Sequence, residues 1–249
     1  MARIFITGSS DGIGSQTAKR LIEKGHQVVL HARNPQRAKD ASAACPGAEE
    51  VLVADLTSLE ETKQLAAAAN KLGTFDAVLH NAGLYLGMEK VPGKSGMPSL
   101  FCVNTLAPFV LASLMHKPKR IAFISSGMHY SGRPRLDGGL ESSNYSDSKL
   151  HNVMLAKAFA RRWPGIESNS ADPGWVPTKM GGSHAPDDLN ASIDEFVMLA
   201  LGEGNAKGQT GKYFVNSRLT APAKVADDVG LQDRLVKELE RISGVTMPK

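Results

Sequence analysis

Short runs rich in Ile, Val, Phe and Leu alternate along this chain with longer segments of helical period, and that alternation leaves few folds open. The runs "RIFIT", "QVVLH", "EVLVA", "DAVLH", "RIAFIS", "IESNSA" and "KYFVN" have the length and composition of buried strands. Between them lie "GIGSQTAKRLIEKG", "NPQRAKDASAA", "SLEETKQLAAAANKLG", "MPSLFCVNTLAPFVLASLMHK", "SDSKLHNVMLAKAFARRW" and "SIDEFVMLALGEG", which read as helices. A strand followed by a helix followed by a strand closes as a parallel pair with a right-handed crossover. The expectation is therefore an α/β chain, doubly wound, with a seven-stranded parallel sheet and helices on both faces. A terminal helix within "AKVADDVGLQDRLVKELERISG" is expected to pack back on the sheet. No linker or internal repeat divides residues 1–249, so one domain is expected.

Three connections, at 84–99, 127–144 and 173–190, are long and rich in Gly, Pro and Ser, and each starts where a strand ends. In open parallel sheets ligands bind beyond the carboxyl ends of the strands, which makes these loops the expected walls of a substrate cleft.

Charge excludes one class of partner. The net +4 comes from 29 basic and 25 acidic residues spread along the chain, without the basic cluster a nucleic-acid footprint needs. No apolar stretch approaches the roughly 18 residues of a membrane span, and the first strand begins near Ala2, which together point to a cytoplasmic protein with no membrane partner. Cys45 and Cys102 are isolated, as expected of inert thiols in a reducing compartment, and no metal-ligand spacing is present.

The turn "TGSSDGIG" joins the first strand to the first helix. Glycines there permit a tight turn and bring backbone N–H groups close to a diphosphate at the helix N-terminus. The position is that of a Rossmann-type dinucleotide site, although the G-x-x-x-G-x-G spacing differs from the G-x-G-x-x-G fingerprint. At the tip of the second strand, where an acid would bind the ribose hydroxyls of NAD, stands Ala32 followed by Arg33. A guanidinium can pair with a 2′-phosphate, so NADP(H) is expected to be preferred over NAD(H). Asp55 ends the third strand, and the small residues of Asn81, Ala82 and Gly83 end the fourth, where a flat ring can lie against backbone.

Tyr145 and Lys149 stand four residues apart at a helix start and so share a face. A phenol titrates near 10 in water, and an ammonium at ~4 Å with an effective dielectric of ~20 favours the phenolate by about 4 kcal/mol. The spacing thus predicts a Tyr145 hydroxyl titrating as low as ~7.

The ordered set "TGSSDGIG", "HNAG", "VNTLAPF", "FISS", "YSDSK" and "DPGWVPT" resembles that of the short-chain dehydrogenases/reductases over nearly the whole chain. The longer gap between "ISS" and the tyrosine, with "SKLHNVMLAKAFARR", is similar to the retinol-dehydrogenase and WW-domain-oxidoreductase branch. The resemblance implies Tyr145 as proton donor or acceptor and Lys149 as its tuner and as holder of the nicotinamide ribose. It implies Ser126 as hydrogen-bond donor to the reacting oxygen and Asn104 as holder of a water linked to Lys149. It assigns Gly8, Ser10, Gly12, Ile13 and Gly14 to the diphosphate, Asp55 and Leu56 to the adenine, and Asn81 and Gly83 to the adenosine side. Pro173, Gly174, Val176 and Thr178 would fix the nicotinamide carboxamide. Two departures stand out: His80 replaces the first Asn of "NNAG", and Ala107-Pro108 replaces a more usual Gly, where a bend in the helix carrying Asn104 is expected. His129, Tyr130 and His151 are expected to line the cleft or lie at the surface.

The function expected is hydride transfer between NADP(H) and a ketone, aldehyde or alcohol. Met88, Met97, Tyr85, Met128, Trp175 and Met180 in the cleft loops favour a small hydrophobic substrate. The family's pairing habit implies a homodimer or homotetramer. Two competing readings are a non-catalytic NADP(H) sensor and a methyltransferase using S-adenosylmethionine; neither needs "YSDSK".

Overall fold

A computed structural model describes residues 1–248. Eight strands form one sheet in the order β3-β2-β1-β4-β5-β6-β7-β8: Arg3–Ile6 (β1), Gln27–Ala32 (β2), Glu50–Val53 (β3), Ala77–His80 (β4), Arg120–Ile124 (β5), Glu167–Asp172 (β6), Tyr213–Val215 (β7) and Arg218–Thr220 (β8). The first seven pair in parallel, as their crossovers require. The expected seven-stranded, wholly parallel sheet needs one correction, because β8 adds an antiparallel edge through a hairpin with β7. Its two turn residues, Asn216 and Ser217, have φ of +49° and +59°, the geometry of a two-residue hairpin turn. Arg218–Thr220 is exposed throughout and has no apolar run, so nothing in its composition marks it as a strand.

The helices are Gly12–Glu23 (α1), Pro35–Ala44 (α2), Leu59–Lys71 (α3), Ser99–Phe101 (α4), Ala107–Leu114 (α5), Tyr145–Arg162 (α6), Leu189–Leu201 (α7) and Val229–Ser243 (α8). One face of the sheet is sealed by α1, α2 and α7 around Ile4, Leu21, Leu30 and Phe196. The other carries α3 and α5 around Phe5, Phe75 and Leu111, and α6 around Phe123, Phe159 and Trp163. α8 lies against α6 through Leu235, Val236 and Leu239, and its Asp233 pairs with Arg162 at 2.8 Å. Every residue of α6 from Tyr145 to Ala156 is buried as a result.

Strand order reverses between β2-β1 and β1-β4, so the chain leaves a crevice at the carboxyl ends of β1 and β4. "TGSSDGIG" and "NAG" open into that crevice from its two sides. Among the described residues no helix is long and apolar enough to cross a membrane.

Candidate active site

The crevice is built by backbone fitted to backbone. Gly8 has φ +64°, and a Cβ on it would stand 2.7 Å from the Ala82 Cα; one on Gly14 would meet the Asn81 Nδ2 at 2.5 Å. Only glycine fits at either position. Asn81 Nδ2 donates to the carbonyls of Thr7 (2.9 Å) and Gly8 (3.1 Å), and the Ala82 N–H donates to Thr7 Oγ1 at 3.1 Å. The tips of β1 and β4 are thereby clamped, with Ser10 and Ile13 in the turn and first helical residues between.

His31 completes this wall, a residue that sequence reasoning passed over in "HARN". The Gly8 N–H donates to its Nδ1 at 3.0 Å, which leaves the proton on Nε2, 2.9 Å from the Ala54 carbonyl. Burial pulls its pKa down to about 4, so the ring is neutral near pH 7.

Asp11 caps α1, accepting from the Gly12 N–H at 2.8 Å, and pairs with Lys179 at 2.5 Å and Arg37 at 3.2 Å. Lys179 chiefly holds the Asp11 carboxyl down, to about 2. The third long loop therefore lies over the glycine turn, with Thr178 Cγ2 3.8 Å from where a Gly12 Cβ would be. In the same loop the Gly174 N–H donates to Asp172 Oδ1 at 2.9 Å, next to Pro173, and Val176 is buried. Arg33 is exposed just past β2 and has no side-chain partner among the described residues. Asp55, past β3, accepts from Thr57 N and Oγ1 at 3.0 and 2.8 Å, and Leu56 beside it is buried.

The four candidate reacting groups converge on the other side of Gly83. Lys149 Nζ lies 5.3 Å from the Tyr145 ring centroid, on the same helix face. A Cβ on Gly83 would be 3.5 Å from that Nζ and 3.7 Å from Asn104 Oδ1. Asn104 pairs with Leu84 in both directions, accepting from its N–H at 2.7 Å and donating to its carbonyl at 3.0 Å, and also donates to Ser148 Oγ at 3.1 Å. Ser126 begins a short 3-10 turn, Gly127–Ser131, its hydroxyl accepting from the Met128 N–H at 3.3 Å and standing near enough to Tyr145 to favour the phenolate.

The bend expected before Pro108 takes the form of a π-helical stretch, Cys102–Leu106, between α4 and α5, with Asn104 at its centre. Pro108 has no N–H to give the Asn104 carbonyl four residues back, and the wider turn avoids its ring.

The expected depression of the Tyr145 pKa is corrected by these contacts. Burial raises it to about 12, outweighing the nearby Ser126 hydroxyl. Lys149, over the ring face and donating to the Ile124 carbonyl at 3.0 Å, does not offset this because it loses its proton well before a phenol held at about 12 would ionise. Burial also pulls Lys149 itself down to about 8.

His129 and His151 are fully buried instead of lining the cleft or the surface, while Tyr130 is exposed. His129 Nδ1 lies 2.8 Å from the Ser126 carbonyl and its Nε2 accepts from the Ala223 N–H at 3.0 Å, so it ties the Ser126 turn to the segment after β8. His151 bridges Thr105 Oγ1 and the Pro134 carbonyl. His80 stacks on Phe123 at 4.9 Å, and burial alone pushes its pKa down to about 3. Among the described residues no three His, Cys, Asp or Glu side chains gather as a metal site.

Residues 2–189 match the family model described as short chain dehydrogenase. The chain is 48% identical over 254 residues to the uncharacterized oxidoreductase AN7799 of Emericella nidulans, covering all of this chain and 99% of that one. It is 42% identical over 259 residues to the short-chain dehydrogenase chyC of Penicillium rubens, with both chains covered completely. A crystal structure of an uncharacterized protein from Mycobacterium Paratuberculosis superposes with a TM-score of 0.82 at 21% identity, covering all of this chain and 96% of that one. The chain belongs to the short-chain dehydrogenase/reductase family of oxidoreductases, which act on carbonyl and alcohol groups with nicotinamide cofactors.

Proposed function

We propose that this chain is an NADP(H)-dependent oxidoreductase that interconverts a hydrophobic ketone or aldehyde with its alcohol. The observation that carries the reading is the meeting of Lys149 and Asn104 at Gly83, with Tyr145 beneath the Lys149 ammonium and Ser126 beside the phenol, at the edge of a crevice where Gly8 and Gly14 admit no side chain. The crevice suits a dinucleotide: side chains are excluded at Gly8 and Gly14, where a diphosphate would approach the start of α1. Arg33, exposed past the end of β2, would pair with an adenosine 2′-phosphate, and Asp11, which would repel one, is already paired with Lys179 and Arg37.

A bound nicotinamide supplies or accepts the hydride. The protein's part is to orient and protonate the other partner. Ser126 Oγ donates to the carbonyl oxygen and stabilises the negative charge that grows on it. Tyr145 Oη then gives up its proton to that oxygen. A phenol held at about 12 stays protonated through neutral pH and so is available to donate to the alkoxide-like oxygen formed as hydride arrives. Lys149, still mainly charged at pH 7, would leave the Ile124 carbonyl to hold the nicotinamide ribose, and its charge would then assist the phenolate left behind.

Tyr145→Phe and Ser126→Ala test the reading in steady-state assays with NADPH and a panel of carbonyls. Each is expected to lower kcat by roughly 10²–10⁴-fold while the NADPH Kd stays near that of the wild type. Near-normal turnover by Tyr145→Phe would remove the tyrosine from proton transfer.

A further inference from the structure

Tyr85, two residues after Gly83, sets its ring against Tyr145 at a centroid distance of 4.8 Å and an interplanar angle of 84°. The arrangement is edge-to-face, the favoured geometry for two aromatic quadrupoles. Tyr145 is almost covered, at 7% exposure, whereas Tyr85 keeps 38% of its surface free. Its hydroxyl has no hydrogen-bond partner among the described residues, and it is close enough to Tyr145 to disfavour the phenolate.

The backbone beneath Tyr85 is fixed. Asn104 holds both the N–H and the carbonyl of Leu84, and Gly87, at φ +88°, turns the chain away immediately afterwards. The ring is thus carried on a held backbone and lies against Tyr145 at the reacting end of the cleft. The other two long loops bring exposed apolar groups, Met128 and Trp175, from the ends of β5 and β6, the strands next in order beyond β4. Trp175 is itself held, its Nε1 donating to the Gly181 carbonyl at 2.7 Å.

We propose that Tyr85 is a positioning and specificity residue of this site, bracing the Tyr145 ring and presenting its exposed aromatic surface to a planar aryl ketone. The inference rests on the reading of the site as a carbonyl reductase and goes beyond it in naming the substrate class. An exposed aromatic face rewards a conjugated, planar carbonyl with stacking beyond simple area burial, while a flexible alkyl ketone of equal size gains only the area.

The test compares an aryl methyl ketone with an alkyl methyl ketone of matched carbon number, using NADPH with the wild type, Tyr85→Phe and Tyr85→Ala. Tyr85→Ala is expected to raise KM for the aryl ketone about tenfold and for the alkyl ketone far less, and, with the brace on Tyr145 gone, to lower kcat for both ketones alike. Tyr85→Phe, which keeps the ring, should restore the aryl preference. NADPH affinity, read by fluorescence titration, should be alike in all three, which excludes misfolding as the cause. Equal KM changes for the two ketones in Tyr85→Ala, or none, would overturn the assignment of Tyr85 alone. Absence of turnover of either ketone by the wild type would overturn both this proposal and the reading beneath it.

Discussion

Arg33 stands past the end of β2 with its guanidinium unengaged, while the nearest acid of the glycine turn, Asp11, is held by Lys179 and Arg37. A charge-assisted hydrogen bond contributes about 1.5–3 kcal/mol, which corresponds to roughly 10- to 150-fold in affinity. Arg33→Ala is therefore expected to weaken NADPH binding by that factor and leave NADH binding nearly unchanged. An unaltered ratio of the two dissociation constants would remove Arg33 from cofactor choice. At this same scale the sequence was readable in part. The four-residue step from Tyr145 to Lys149 was enough to put both on one face, since helical period alone decides that. The direction of their pKa shifts was not readable, because it depends on how deeply the fold buries both groups.

Among the elements, α6 has the most exacting start. Asn144 and Asp147 form a reciprocal capping box, and Asp147, wholly buried, also accepts from the Arg133 N–H at 2.7 Å and from Arg135 Nε at 2.9 Å. Arg135 has φ +55°, a conformation that costs a non-glycine residue energy and that the Asp147 contact helps to hold. Asp147→Ala would leave two backbone N–H groups and a guanidinium without their acceptor. It is expected to cost about 3 kcal/mol, against about 1 kcal/mol for Asn144→Ala, in chemical denaturation. Equal midpoint shifts in the two variants would show that the second long loop does not depend on Asp147. The strand-like runs located all seven parallel strands to within a residue or two, because the central ones are buried on both faces and take apolar or small residues, although the edge strand β3 has no buried residue and β6 carries Ser168, Asn169 and Ser170 inside. β8 and the π stretch escaped notice, since a hairpin edge is set by two positive φ angles and a π turn by one proline ring, neither of which alters hydrophobic period. α7 begins at Leu189, three residues before the apolar pattern suggests, because Asp188 caps it through the Asn190 N–H.

For the molecule as a whole, buried titratable groups set how stability follows pH. His31, His80 and His151 lie in the fold with pKa values of about 4, 3 and 4, lowered by burial from 6.5. Between about 4.5 and 6.5 the unfolded chain therefore binds protons at these three positions that the folded chain does not, and stability rises with pH. Glu195 acts oppositely: burial raises its pKa from 4.5 to about 7, so in that window the folded state binds the extra proton. His129, also buried with its pKa lowered, adds to the three histidines, so the net excess is at least two protons on the unfolded side, equivalent to roughly 3 kcal/mol per pH unit. Acidification from pH 6.5 to 5 is expected to lower the unfolding midpoint steeply, and His31→Gln should flatten the slope; a midpoint indifferent to pH over that range would contradict the burial of these rings. The packing of α8 on α6 also has a consequence for synthesis. A ribosome delivers α6 some seventy codons before α8, so during translation the face of α6 that Leu235, Val236 and Leu239 come to cover must wait exposed, a natural point for a chaperone to engage.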